Sequence, residues 1–210
     1  MRAFPRLYLV APARIKAGPL ADLVPELATA GVDILQLREK ELEAADVLAA
    51  GEPLLAACRA AGIPFIVNDR PDVALALGAD GVHLGQRDLP ASVARSILGN
   101  GVIVGRSTHS RAEVDAELAS KARLDYIAVG PVVPTPTKPG RPGTGLELVH
   151  HAARVADVPW FVTGGMSPET LPEAMDAGAR RIVVVRAIVE ATDPVAVTAR
   201  LRRLLDERPV

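Results

Sequence analysis

The stretch FIVNDRPDVALALGADGVHLGQRDLP, Phe65–Pro90, contains the pattern that decides the fold. Two apolar runs, FIV and GVHL, are separated by an Ala/Leu-rich segment, and amide and carboxylate side chains follow each run. The first run leads into Asn68 and Asp69, and the second leads into Gln86 and Asp88. Short uninterrupted apolar runs are typical of parallel strands that are buried on both faces. The stretch therefore predicts two neighbouring parallel strands whose carboxyl ends carry the same polar chemistry.

The same layout recurs along the whole chain, with helix-like segments between the apolar runs. Eight strands are predicted: Leu7–Val10, Asp33–Leu37, Pro64–Val67, Gly81–Leu84, Val102–Gly105, Asp125–Val129, Pro159–Thr163 and Arg181–Val185. Ser167 followed by Pro168 predicts the start of one of the intervening helices. Eight such alternations without a linker predict a single α/β domain over residues 1–210, a (β/α)₈ TIM barrel. A doubly wound open sheet is the alternative.

Composition excludes several classes of protein. The chain has 210 residues, 49% of them hydrophobic, and a formal net charge of −1. It lacks the overall basic field that attracts nucleic acid or an anionic membrane surface, so we expect neither partner. No segment approaches the roughly 20 apolar residues of a membrane helix, and the first apolar run is shorter than the core of a signal peptide.

These features, with the single cysteine Cys58 read as a buried structural thiol, predict a cytoplasmic protein. The oligomeric state is left open, a homodimer included. We expect the partners to be small phosphorylated molecules.

Rare residue types mark the predicted mouth of the barrel. Only four of the 24 basic residues are lysines, and there are two glutamines and two asparagines. Both glutamines, one asparagine and two lysines lie at the carboxyl ends of predicted strands or in the segments after them. The active site of a (β/α)₈ barrel lies at this end of the strands. Polar loops alone explain polarity there, but not the choice of lysine over arginine, so we expect a functional site.

Gln36, Arg38 and Lys40 alternate at the end of the second predicted strand, so their side chains would share one face. One amide and two cations suit a heteroaromatic ring joined to a phosphate; a surface salt-bridge run is the alternative for the cations. Asp69 and Asp88, at the ends of adjacent strands, are better suited to Mg²⁺ than to a general acid/base pair. One cysteine and four scattered histidines give no zinc spacing.

Two further segments predict phosphate contacts. The Pro/Gly-stiffened loop PTPTKPGRPGTG carries Thr135, Thr137 and Lys138, whose hydroxyl and ammonium groups could cradle a phosphate. Gly164 and Gly165 after the seventh strand would let a phosphate approach the backbone. Of the aromatic and histidine side chains, Tyr8, Trp160 and His83 are interpreted as barrel packing or lining, and His109 as able to reach the site.

Taken together, these segments resemble the thiamine phosphate synthase family over nearly the whole chain. The resemblance rests on LQLREK, VNDRPDVALALGADGVHLGQRDLP, GRSTHS, DYIAVGPVVPTPTKPG and VTGGMSPE. It implies a (β/α)₈ barrel that couples 4-amino-2-methyl-5-(diphosphooxymethyl)pyrimidine with a thiazole phosphate. The products are thiamine phosphate and pyrophosphate, with CO₂ if the thiazole is carboxylated, and Mg²⁺ is required.

The resemblance also implies roles for individual residues. Gln36 and Asn68 would hold the aminopyrimidine. The diphosphate would be bound by Arg38, Lys40, Asn68, Ser107 and Lys138. Asp69 and Asp88 would bind Mg²⁺. The thiazole and its phosphate would be surrounded by Thr135, Thr137, Gly165, Val185 and Arg186.

The chain departs from the family pattern in places. Arg186 stands where the family usually has Ser, Val133 stands where Phe is frequent, and VAP replaces Thr-Asp after the first strand. These departures affect mainly the residues that would contact the thiazole phosphate. Two other functions compete: a thiazole tautomerase of the same fold, which would not need a carboxylate pair and a diphosphate collar, and a phosphate-ligand binding barrel without catalysis.

Overall fold

Eight parallel strands close into a barrel in the computed structural model, which describes residues 4–120, 122–134 and 143–209. The barrel strands are β1 (Leu7–Ala11), β2 (Ile34–Leu37), β3 (Phe65–Asn68), β4 (Gly81–Leu84), β5 (Ile103–Thr108), β6 (Tyr126–Val129), β7 (Trp160–Val162) and β8 (Ile182–Val184). Each strand pairs with its neighbour in sequence, and β1 pairs with both β2 and β8. The predicted TIM barrel is confirmed and the open sheet is excluded.

Helices follow the strands and cover the outside of the barrel. They are α1 (Leu20–Ala30), α2 (Ala44–Ala61), α3 (Pro71–Leu77), α4 (Ala91–Leu98), α5 (Arg111–Ala119), α6 (Gly145–Val155), α7 (Leu171–Asp176), α8 (Arg186–Val189) and α9 (Pro194–Asp206). Within the described ranges, no helix is long and apolar enough to cross a bilayer. The assignment of residues 1–210 to one domain stays a prediction.

Both faces of the strands are apolar because both are buried. In β1, Leu7 and Leu9 belong to the large core between the barrel and its helices. Tyr8 and Val10 point the other way, into a smaller cluster at the centre of the barrel. Successive side chains of a strand alternate between its faces, so a strand with two buried faces reads as one continuous apolar run. This is the physical reason why the strands could be found in the sequence.

The interior cluster depends on a glycine. The Tyr126 ring lies inside the barrel, fully buried, against Tyr8 and Phe161 at centroid distances of 5.7 and 5.3 Å. Gly105 of β5 pairs with Tyr126 of β6, and a Cβ at position 105 would overlap the Tyr126 ring. Gly105 therefore creates the space that this large side chain fills.

A polar layer lies directly above this apolar layer. Ile34 and Ile66 belong to the interior cluster, and the side chains two residues later, Gln36 and Asn68, face the same interior. Ser107 follows Gly105 by the same step. The strand alternation that builds the core thus also carries the polar residues into the mouth of the barrel.

Three details differ from the sequence predictions. β5 continues to Thr108 instead of ending at Gly105, so Ser107 lies in a strand and is buried. The helix predicted at Ser167 begins at Leu171, because residues 167–170 form a turn in which the Ser167 N–H donates to Thr170 Oγ1 at 2.9 Å. A hairpin of Arg14–Ile15 and Gly18–Pro19, which the sequence did not indicate, precedes α1.

Candidate active site

The carboxyl ends of the strands surround a cavity of about 530 Å³. Such a volume is in the range of small-molecule sites. The predicted site residues that line it are Gln36, Arg38, Lys40, Asn68, Asp69, Asp88, Ser107, Gly165, Val185 and Arg186. Thr135, Thr137 and Lys138 lie outside the described residues, so their predicted phosphate contacts stay predictions. His109 also lines the cavity, as expected.

The segment after β2 is held in place by the segment after β1. The Arg38 N–H donates to Ala11 O at 2.9 Å, which extends the β1–β2 pairing by one residue. Glu39 Oε1 accepts the Ala13 N–H at 2.8 Å. This leaves Arg38 and Lys40, on either side of Glu39, to line the cavity. Burial lowers the pKa of the Arg38 guanidinium while Asp69 opposes the shift, and an arginine stays charged throughout.

Lys40 and the two predicted metal ligands form one charged cluster. Lys40 Nζ lies 2.9 Å from Asp69 Oδ2. The Asp69 and Asp88 side chains are also within hydrogen-bonding contact of each other. Asp69 has a φ of 63°, a left-handed conformation that Asp tolerates better than most residues, and its N–H donates to His83 O at 2.8 Å. The backbone therefore turns sharply at the end of β3 and directs this carboxylate toward the end of β4.

The environment separates the two carboxyl groups. Burial disfavours ionisation of Asp69, but the contact with Asp88 and the ion pair with Lys40 outweigh it and lower the pKa of Asp69. Burial and then the contact with Asp69 raise the pKa of Asp88, against a hydrogen bond from the Gly85 N–H. Two carboxylates in contact repel each other unless a proton or a cation lies between them. The pair therefore requires a proton or a cation between its oxygens.

A magnesium ion fits these residues. Carboxylate oxygens are hard ligands, and Mg²⁺ is commonly held by one or two carboxylates together with substrate phosphates and water. In the described parts of the chain, no three His, Cys, Asp or Glu side chains come close enough together to bind a metal by themselves. The two carboxylates would therefore supply the protein ligands of an ion whose other ligands come from substrate and solvent.

The loop after β4 is fixed by hydrogen bonds around Asp88. Asp88 Oδ2 accepts the Gly85 N–H at 2.6 Å, and the Asp88 N–H donates to Gly85 O at 3.1 Å, closing a tight turn. Gln86 Nε2 donates to Ser107 O at 2.7 Å. Gln86 thus ties the β4 loop to β5, which gives one of the two rare glutamines a structural role at the edge of the cavity.

The opposite side of the cavity lies after β7 and β8. Gly164 and Gly165 have φ values of 95° and 75°, which favour glycine. A Cβ at Gly165 would overlap the Val133 side chain, so the β6 and β7 segments touch closely here. Val185 caps the short helix α8, and the exposed Arg186 begins it at the mouth. The predicted thiazole residues Gly165, Val185 and Arg186 are therefore brought together across the barrel from the ends of β3 and β4.

Sequence reasoning missed a set of hydrogen bonds inside the barrel. Tyr8 is buried as predicted, but its hydroxyl accepts a hydrogen bond from Gln36 Nε2 at 2.6 Å. His83 lines the barrel as predicted, and its ring lies 2.9 Å from both the Tyr126 hydroxyl and Ser107 Oγ. The tyrosines and His83 thus connect two predicted substrate-binding residues. The sequence held one indication of this role. Each of the three lies within two positions of a residue that pairs with a predicted site residue on the neighbouring strand.

Comparison with known proteins agrees with this geometry. The family model described as thiamine monophosphate synthase matches residues 7–188. The thiamine-phosphate synthase of Acidothermus cellulolyticus is 49% identical over 195 residues, which cover 92% of each chain. That of Mycobacterium tuberculosis (strain ATCC 25177 / H37Ra) is 51% identical over 211 residues, which cover 95% of this chain and 94% of the relative.

A solved structure adds the fold. The thiamine phosphate pyrophosphorylase from Pyrococcus furiosus superposes with a TM-score of 0.84 at 32% sequence identity, covering 96% of both chains. The barrel fold and the sequence similarity thus agree over almost the entire length. This chain belongs to the thiamine monophosphate synthase family, which is the family that its motifs predicted.

Proposed function

We propose that this protein couples 4-amino-2-methyl-5-(diphosphooxymethyl)pyrimidine with 4-methyl-5-(2-phosphoethyl)thiazole or its carboxylate tautomer. The products are thiamine phosphate and pyrophosphate, with CO₂ from the carboxylate. Relatives that are about half identical over more than nine-tenths of the chain are thiamine-phosphate synthases, so the predicted synthase and transferase activity is confirmed at that level. The substrate contacts and the metal described below are our proposal.

One observation carries the proposal. The carboxylate pair Asp69 and Asp88 shares a cavity with Lys40 and Arg38, and the chain places a glycine-lined surface opposite them. A departing pyrophosphate accumulates negative charge, which cations and a carboxylate-held metal can stabilise. A ligand with a charged leaving group at one end and a neutral ring in the centre matches this distribution.

The proposed reaction is dissociative. The bond between the pyrimidine methylene carbon and the diphosphate oxygen breaks, and pyrophosphate leaves with the electron pair. The resulting pyrimidine-methyl cation is stabilised by its 4-amino group. The lone pair of the thiazole nitrogen then forms the new C–N bond, which gives the thiazolium ring.

No protein nucleophile is required, so the residues act by neutralising charge and by holding two rings in register. Arg38, Lys40 and Ser107 would contact the diphosphate oxygens, with Lys138 joining them from the loop after β6. When bound to Asp69 and Asp88, Mg²⁺ would supply further positive charge to the leaving group. Gln36 and Asn68 would orient the aminopyrimidine. Gly165, Val185 and Arg186, with Thr135 and Thr137, would surround the thiazole phosphate.

The test is a direct assay of the purified protein. It is mixed with the pyrimidine diphosphate, the thiazole phosphate and Mg²⁺, and thiamine phosphate and pyrophosphate are both quantified. We expect both products in equal amounts and their loss with EDTA. Folded protein that binds either ligand but forms neither product would overturn the synthase proposal. It would then favour the tautomerase, if the carboxylated thiazole isomerises, or the non-catalytic binding barrel.

We also propose a cytoplasmic location and no nucleic-acid partner, on the basis of the net charge of −1 and the single buried cysteine. A homodimer is one proposed state of the protein. Size-exclusion chromatography with light scattering distinguishes it from a monomer of 22.0 kDa.

A further inference from the structure

Five buried side chains form a continuous chain of hydrogen bonds below the mouth of the barrel. Gln36 Nε2 donates to the Tyr8 hydroxyl at 2.6 Å, and the two tyrosine hydroxyls lie 2.9 Å apart. The Tyr126 hydroxyl lies 2.9 Å from His83 Nδ1, and His83 Nε2 lies 2.9 Å from Ser107 Oγ. Each of the five side chains is at least nine-tenths buried. The two ends of the chain are predicted substrate-binding residues, and the three central members are not.

The chain has a direction because each hydroxyl has one proton to donate. An amide nitrogen only donates, so the Tyr8 oxygen accepts a hydrogen bond from Gln36. The Tyr8 O–H then donates a hydrogen bond to the Tyr126 oxygen. Tyr126 then donates to Nδ1 of His83. In this direction, His83 would be the neutral tautomer that carries its proton on Nε2, and that N–H would donate to Ser107 Oγ.

The surroundings keep the two tyrosines uncharged and hold the His83 ring in place. Burial raises the pKa of both Tyr8 and Tyr126, so neither phenol ionises near neutral pH. The His83 ring is stacked on the Tyr126 ring at a centroid distance of 5.6 Å and an interplanar angle of 14°. Gly105 provides the space for the Tyr126 ring. The packing of the barrel centre thus fixes the positions of the oxygen and nitrogen atoms that form the chain.

We propose that Tyr8, Tyr126 and His83 are positioning residues that set which hydrogen-bonding groups Gln36 and Ser107 present to the pyrimidine diphosphate. With Nε2 of Gln36 engaged by Tyr8, its Oε1 acceptor is left for the ligand. Because Ser107 Oγ accepts from His83, the Ser107 hydroxyl proton is directed to a different acceptor. The site then offers an acceptor for an amino group and a donor for a phosphate oxygen, which are the two groups of the proposed substrate.

A reversed chain would present the opposite pair. If every hydrogen bond ran from Ser107 to Gln36, all five groups would again be paired, and His83 would carry its proton on Nδ1. Gln36 would then offer its NH₂ group and Ser107 its lone pairs, which suits a 4-oxo ring but neither the 4-amino group nor an anionic oxygen. The groups that Gln36 and Ser107 present are therefore coupled. The direction of the hydrogen bonds between them selects the amino form of the pyrimidine ring. This substrate specificity rests on the proposed function, whereas the direction of the hydrogen bonds does not.

The polarity is measured first, in the protein without substrates. Two-bond ¹H–¹⁵N correlation spectra of [¹⁵N]histidine-labelled protein at about pH 8 distinguish the two neutral tautomers of a histidine. His83 is assigned with the variant His83→Gln. We expect one tautomer with its proton on Nε2, and loss of that fixed state in Tyr126→Phe, which keeps the ring and removes the hydroxyl. A proton on Nδ1, or a mixture of tautomers in the wild-type protein, would overturn the proposal.

The specificity is measured second, as the affinity for the 4-aminopyrimidine diphosphate relative to its 4-oxo analogue, by calorimetry with Mg²⁺. In Tyr8→Phe, the Gln36 amide loses the partner that fixes its orientation, and we expect the ratio to fall about tenfold or more. Phe161→Leu is the matched control. Phe161 packs against Tyr8 and Tyr126 with centroid distances of 5.3 Å but takes no part in the hydrogen bonds.

A ratio unchanged in folded Tyr8→Phe, or an equal fall in Phe161→Leu, would overturn the specificity role. If Tyr8→Phe fails to fold, the tautomer of His83 still decides the polarity. Binding of the two pyrimidines is measured without turnover, so absence of product in the synthase assay and absence of selectivity in the binding assay are separate results.

Discussion

Lys40 Nζ and Asp69 Oδ2 form an ion pair at 2.9 Å, although about half of the lysine side chain, 49%, is exposed. An exposed ion pair contributes between about 0 and 1 kcal/mol to the stability of a folded protein. The pair therefore adds little to the stability of the fold, and its place beside Asp88 is consistent with the proposed role in ligand binding.

Removing the Asp69 charge tests this view. In Asp69→Asn, we expect product formation to fall about 100-fold, since charge at the leaving group is no longer balanced. The Mg²⁺ concentration for half-maximal rate should rise about tenfold or more. The free energy of unfolding should change by less than about 1 kcal/mol. Glu41→Gln, an exposed acid next to Lys40 in the loop after β2, is the control and should behave as wild type. Wild-type Mg²⁺ dependence in Asp69→Asn would contradict the metal role.

The fit of Gly105 against Tyr126 predicts a large effect of one methyl group. Gly105→Ala should lower the free energy of unfolding by about 1–3 kcal/mol, because an added Cβ overlaps the Tyr126 ring and the barrel centre cannot expand. Urea denaturation measures the difference. Gly101→Ala, where no atom lies within 4 Å of the added Cβ, is the matched control, and an equal loss in both variants would contradict the packing explanation.

Cys58 should be unreactive in the native state. It is fully buried in α2, and burial raises the pKa of its thiol to about 12, so the thiolate that reacts is scarce at about pH 8. We expect a disulfide reagent such as Ellman's reagent to label one thiol per chain in denaturant and almost none in native protein. Rapid labelling of the native protein would show that α2 opens readily or is packed differently.

Arg186 offers a test of the thiazole-phosphate side. Arg186 is exposed at the mouth of the cavity. Its guanidinium could form a bidentate contact with a phosphate, but solvent would weaken that contact. Arg186→Ser should raise KM for the thiazole phosphate about fivefold, less at high salt, and leave KM for the pyrimidine diphosphate unchanged. Arg203→Ser, an exposed arginine on α9, controls for the loss of charge. Equal KM values in wild type and Arg186→Ser would show that the Arg186 side chain does not contribute to binding this phosphate.

The sequence was sufficient for the strands and for most of the mouth. All strands except β5 are mainly apolar, Asn68 and Asp69 directly follow the apolar residues 65–67, and Asp88 lies four residues after Leu84. The end of β5 was misplaced because Ser107 and Thr108 are polar, yet they are almost completely buried by the neighbouring strands. The hairpin after β1 was missed because a two-residue strand such as Arg14–Ile15 has no measurable period.

The hydrogen-bond chain could not be predicted from local pattern. Tyr8 and Tyr126 are 118 positions apart in sequence and meet only because the barrel closes. A buried tyrosine has the same apolar surroundings whether or not its hydroxyl has a function, so packing was the natural interpretation. The turn at residues 167–170 was likewise decided by a local contact, the Thr170 hydroxyl against Gly165 O, that competes with an earlier helix start.

The two-residue step from Ile34 to Gln36 and from Ile66 to Asn68 limits how this protein can change length during evolution. Deleting one residue within a strand would exchange its faces, turning the polar layer outward onto the helices and an apolar side chain into the mouth. Both the active site and the core would be lost in one event. Length changes should therefore accumulate in the connections between strands and helices, while the number of residues within each strand stays constant among functional descendants.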